Sequence, residues 1–127
     1  MKKLIAVMAV LFSVNAAAFV GTGNEEIAKA REFMRFQNDA ENIDYPKVSH
    51  WIGLVAGLSV VYGSSAYDFA ICYPEKSTTF QLAEIAAQYL IDNPSKRAEA
   101  TDSLVWRAHL DAFGFRASDD CWNKPTE

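Results

Sequence analysis

Three groups of side chains in this chain have the types and spacing to do chemistry. His109 and Asp111, with Asp102 earlier on the same stretch, offer a base and two carboxylates for proton transfer or metal binding. On a helix, Asp102 and His109 share a face while Asp111 points elsewhere. Geometry has to precede any acid–base role, so the three read as a solvated helix face. Ser64 and Ser65 follow Gly63 but lack the Gly-x-Ser-x-Gly elbow that presents a hydroxyl nucleophile, and they read as loop residues. Cys72 and Cys121 are the remaining pair. As a nucleophile, Cys72 would need a histidine in reach and would have to escape oxidation by Cys121. Two thiols are too few for a tetrahedral zinc site, and His50 and His109 show no ligand spacing with either. A Cys72–Cys121 disulfide is the default for an exported chain. No catalytic residue, metal or cofactor is expected.

The case for export lies at the start of the chain. Lys2 and Lys3 precede a short apolar stretch from Leu4 to Val14, and Ala16, Ala17 and Ala18 supply the small residues a signal peptidase needs. Residues 1–18 are therefore read as a signal peptide cleaved before Phe19, which places the mature chain in the periplasm. An anchor is the alternative, but 11 residues fall well short of the roughly 20 that span a bilayer. Losing Lys2 and Lys3 from the 12 basic residues leaves 10 against 16 acidic ones. That balance argues against nucleic acid, which calls for a basic footprint, and against anionic lipid surfaces. An acidic surface is compatible with a basic protein partner.

Residues 19–127 are the length of one domain. A first helix is expected from about Glu25 to Asn38, opened by the capping-box pair Thr22 and Glu25, with Ile27, Ala30, Phe33 and Met34 facing the core. A second is expected from about Lys47 to Ser64. It is apolar nearly all round, which is the mark of a buried helix. It reads as the central one, with Gly53 and Gly57 allowing a neighbouring helix to come close. The third starts after Thr78, with Gln81 at capping-box spacing, and carries a stripe of Leu82, Ile85, Ala86, Tyr89 and Leu90. Pro94 stops it, and a fourth is expected to begin there with Asn93 as its cap and an inner stripe of Thr101, Leu104, Val105, Ala108 and Ala112. The helical core then covers about 24–113, and 114–127 is a polar tail tied back through Cys121. The expected fold is all-α: a small four-helix, bundle-like domain stapled by one disulfide. Closing a loop of this length is worth roughly 4 kcal/mol by chain entropy.

The ordered motifs Phe69-x-x-Cys72-x-Pro74, Thr78-Thr79-x-Gln81-Leu82, Tyr89-Leu90-x-x-Asn93-Pro94-x-x-Arg97 and Ala100-x-x-x-Leu104-Val105-x-x-Ala108, with Gly53-Leu54-Val55-Ala56-Gly57 ahead of them, resemble the Rap/Tai family. These are periplasmic immunity proteins of type VI secretion systems. Members often end this segment Ala-Phe-Pro-Cys, where this chain has Ala112-Phe113-Gly114-Phe115 and its second cysteine at Cys121. The resemblance implies a non-enzymatic protein that binds a cognate peptidoglycan amidase effector and blocks its cleft, and it implies a homodimer. Two surfaces are candidates for that contact. One is the disulfide-linked end, 65–73 with 118–122, where Tyr67, Asp68, Tyr73 and Trp122 stand out because loop aromatics are common interface anchors. The other is the turn from Asp92 to Arg97, with Asp92, Asn93 and Lys96. A periplasmic helical binding or envelope-stress module without a toxin partner is the second reading.

Overall fold

A threonine and a glutamate open the first helix. The computed structural model describes residues 21–64 and 68–122, so the signal-peptide expectation lies outside the described residues. The Thr22 amide donates to the Glu25 carboxylate at 2.8 Å, which opens α1 (Gly23–Gln37) with one of its orphan amides satisfied. The helix starts at Gly23 because the chain there lies against another backbone. A Cβ on Gly23 would stand 2.6 Å from a Leu104 methyl and 3.0 Å from the Arg97 Cα, so only glycine fits.

Helix α2 (Tyr45–Tyr62) is capped by Asp44, which receives the Lys47 amide, and carries Pro46 in its first turn. Helix α3 (Thr79–Asp92) has the expected Thr78–Gln81 capping box, with reciprocal bonds of 2.9 and 3.2 Å. A 3-10 turn (Pro94–Lys96) leads to α4 (Thr101–Phe113). Two short strands, β1 (Phe69–Ala70) and β2 (Arg116–Ala117), pair antiparallel with Phe69 opposite Ala117. A last short helix, α5 (Ser118–Trp122), carries Cys121, and the Cys72–Cys121 disulfide is formed. The expected all-α, disulfide-stapled bundle is therefore the observed one, with a small ribbon added. Among the described residues no helix is long and apolar enough to cross a membrane.

The centre of the fold is α3, and α2 is not the hub that its composition suggested. Ala83, Ala86 and Ala87 are fully buried, alongside Leu82 and Leu90. Alanines on two faces let helices approach from both sides. Trp51 of α2 is fully buried and donates its indole N–H to the Ala83 carbonyl at 3.0 Å. Phe33 and Ala30 of α1 and Leu104 and Val105 of α4 complete the same cluster. Helix α2 buries only one stripe, Val48, Trp51, Val55 and Ser59. Gly53 and Gly57 face open space, with nothing within 4 Å of a Cβ placed there, so they mediate no helix approach among the described residues.

Helix α4 also starts later than Asn93. The Asn93 side chain turns back to the Tyr89 carbonyl, and the Arg97 guanidinium reaches back to the Leu90 and Ile91 carbonyls at 2.6 and 2.8 Å. Positive charge there both satisfies the last carbonyls of α3 and complements its dipole. The backbone from Arg97 to Thr101 is meanwhile taken by the chain start. Gly23 and Asn24 amides donate to the Glu99 and Arg97 carbonyls, and Thr101 donates to Gly21 through both its amide and its hydroxyl. Those residues are not free to be helical.

Candidate functional site

At the start of α3, near the disulfide, α2, α4 and the segment that follows Cys72 converge on His109. This histidine is fully buried, which corrects its reading as part of a solvated face. Helix α4 buries Thr101, Leu104, Val105, Ala108 and His109, while Ala112, expected to face inward, is exposed. A carbonyl can only accept, so the Leu82 carbonyl 3.0 Å from Nε2 fixes the proton on that nitrogen. Nδ1 then accepts from the Tyr73 hydroxyl at 2.8 Å. The Tyr62, Tyr73 and Phe113 rings meet the imidazole edge to face. Burial holds the His109 pKa below its ordinary value, against a smaller opposing effect of the Leu82 bond. Burial likewise pushes the Tyr73 phenol up to about 12, a hydrogen bond with Ser59 working the other way. Both groups stay neutral over the physiological range. Asp111 is exposed, and Asp102 serves through its backbone, accepting from the Tyr62 hydroxyl at 2.6 Å. These residues form a packed polar joint between α2, α3, α4 and the segment leading from the disulfide.

Outside this joint lies an open groove of about 440 Å³ lined by Val61, Tyr62, Asp68, Phe69, Trp106 and Phe115. Phe69 and Phe115, one from β1 and one just before β2, stack with centroids 5.2 Å apart and remain 54% and 47% exposed. Trp106 stands edge-on to both Tyr62 and Phe115. The ribbon exists because Gly114 takes φ +78°, a value that L side chains rarely adopt, and turns the chain back from α4 toward β1. A second cleft, between Cys72, Tyr73, Pro74, Glu75, Phe113, Arg116 and Cys121, lies on the other side of the disulfide and is more polar.

The residues singled out in the sequence are thereby divided. Asp68 is exposed on the groove, and Tyr73 is half-buried in the joint behind it. Tyr67 lies outside the described residues, and of Trp122 the backbone alone is described. Asp92, Asn93 and Lys96 are at the far end of α3 and do not join this site. Asp92 accepts from Gln88, Asn93 caps α3, and Lys96 lies over the Tyr89 ring and donates to its hydroxyl. Phe69, Trp106 and Phe115 were not singled out as binding residues. The available signal was the apolar trio Phe69, Ala70 and Ile71 in a connection, and Phe115 in an otherwise polar tail. Among the described residues no group of three or more His, Cys, Asp and Glu side chains could hold a metal ion. No family model matches the chain, no curated protein is similar to it, and no solved structure resembles it.

Proposed function

We propose that this chain is a periplasmic immunity protein that binds and blocks a peptidoglycan amidase effector of a type VI secretion system, without catalysis of its own. The observation that carries this reading is the ordered motif set from Gly53 to Ala108, several of whose members stand at the joints of the fold. Asn93 and Arg97 close α3, Thr78 and Gln81 open it, and Cys72 anchors the segment leading into it. Such residues fix how a bundle presents its ends to a partner. An exposed aromatic groove edged by a carboxylate supports a protein-binding role, because exposed clustered apolar side chains mark interaction sites. The acidic balance would steer association toward a basic cleft rim.

The test uses mature, oxidised protein as bait in lysate of its own strain grown under secretion-active conditions. A cell-wall amidase recovered at near-stoichiometric amounts, and inhibited on purified peptidoglycan by one equivalent of the bait, is the expected result. Recovery of envelope proteins only, or of nothing, sinks the reading in favour of a periplasmic binding module without a toxin partner.

A further inference from the structure

We propose that the groove between the C-terminal turn of α2, α4 and the ribbon receives an arginine side chain presented by a protein partner. The proposal rests on the reading that a protein docks at this end of the molecule. Its geometry is that of an aromatic slot. The Trp106 plane meets Tyr62 at 75° with centroids 5.1 Å apart and Phe115 at 81° and 5.7 Å, while Phe69 lies nearly parallel to Phe115 at 19°. All four rings line the open volume, and Phe69 and Phe115 keep about half of their surface exposed. Asp68 is the one charged residue among the described lining residues. Its carbonyl accepts the Ser118 amide at 2.9 Å, which ties the Asp68 backbone to the start of α5.

A second carboxylate lies near the groove. The Asp102 carboxylate is near enough to add to burial in raising the Tyr62 phenol. The neighbouring cations are directed elsewhere: Arg107 pairs with Glu99 at 2.6 Å, and Arg116 lines the cleft on the disulfide side. An aromatic slot edged by a carboxylate that forms no ion pair among the described residues favours a flat, weakly hydrated cation. Guanidinium is that group, because it stacks on rings and grips a carboxylate with two parallel N–H donors. A purely apolar side chain would fill the slot and leave Asp68 desolvated without a partner. Lysine would bring a point charge that keeps its water.

The test titrates the oxidised protein with three peptides, acetyl-Gly-Arg-Gly-amide and its citrulline and norleucine counterparts. Binding is read by NMR from the Trp106 indole N–H, assigned with Trp106→Phe. The arginine peptide is expected to shift that signal, the citrulline peptide to bind about tenfold more weakly, and Asp68→Asn to weaken the arginine peptide by a similar factor, the equivalent of about 1.4 kcal/mol. Equal binding of norleucine and arginine overturns the proposal. So does a Trp106 signal that answers to none of the three, as would follow if a second copy or the chain's own residues 123–127 filled the slot. The two readings fail separately. An amidase that binds Asp68→Asn and Phe115→Ala as well as the parent removes the arginine slot and leaves the immunity role. Arginine binding with no amidase recovered does the reverse.

Discussion

Around α3, helices from three directions close over alanines, and the largest side chains, Trp51 and Phe33, have no exposed surface. At the ribbon end, two strands of two residues each are held by one disulfide, and Phe69 and Phe115 stay about half exposed. The same chain thus uses two ways of fixing structure. Burial of apolar area stabilises the first region at roughly 25 cal/mol per Å². That route needs the apolar groups to be covered, so a region that leaves its aromatic rings open cannot rely on it. A covalent link constrains the unfolded chain instead and leaves the folded surface available. The difference explains how a small domain can afford an exposed aromatic groove without losing its shape.

The sharpest way to break this comparison is to empty the first region. Trp51→Ala removes a buried indole and its hydrogen bond to the Ala83 carbonyl, and is expected to lower unfolding free energy by about 3–5 kcal/mol in a urea titration. A loss below about 1 kcal/mol would mean that α3 is not the centre of stability. The next largest effect belongs to the second region. Replacing both cysteines by serine is expected to cost about 2–4 kcal/mol, and its local signature separates it from Trp51→Ala. Amides of β1, β2 and α5 should exchange much faster under native conditions, while those of α3 slow or quicken only with global stability. Uniform acceleration across the helices would show that the disulfide supports the whole bundle and that the contrast between regions is false.

The joint between the two regions carries a titration. His109 has its pKa lowered by burial, so the folded state binds its proton less readily than the unfolded chain does. Its stabilising contribution is therefore complete above about pH 6.5 and is lost as pH falls from there toward the lowered folded value. The slope cannot exceed about 1.4 kcal/mol per pH unit for one proton. Glu32 is shifted in the same direction, through hydrogen bonds from the Asp44 amide and Arg35, but from an ordinary value of 4.5, so its window lies lower. Denaturation midpoints measured from pH 8 to pH 5 should fall for the parent and stay flatter for His109→Gln, whose amide offers both a donor and an acceptor. Parallel curves would show that another group carries the slope.

The helices were legible in the sequence because capping pairs and apolar stripes act locally. Thr22 with Glu25 and Thr78 with Gln81 sit where their spacing put them, and the disulfide follows from two cysteines in a chain read as exported. What was illegible depends on contacts distant in the chain. Nothing near Asn93 announces that Gly21 to Asn24 will occupy the backbone at 97–101 and delay α4. Composition made α2 look central, whereas the small size of Ala83 and Ala87 made α3 so. His109 looked like a surface residue because its partners, the Tyr73 hydroxyl and the Leu82 carbonyl, are 36 and 27 residues away. The groove was hidden for the same reason, since Phe69 and Phe115 meet only through a ribbon that short strands do not signal.

The smallest expected effect tests the part of the first region that does not behave like a core. Helix α2 is apolar on every side, yet Val60 is 75% and Val61 48% exposed, and Gly53 and Gly57 have open space beside them. Helical glycine is less favourable than alanine by about 0.8–1 kcal/mol, and neither position has a steric reason for it within this chain. Gly53→Ala and Gly57→Ala should therefore each raise stability by up to about 1 kcal/mol in dilute protein, measured by urea denaturation. If they do so at low concentration but weaken a concentration-dependent gain in stability seen with the parent, a second chain lies against this face and the glycines serve its approach. If they destabilise at every concentration, the outer side of α2 is covered within the folded chain, and the division between a buried core and an open end has to be redrawn along that helix.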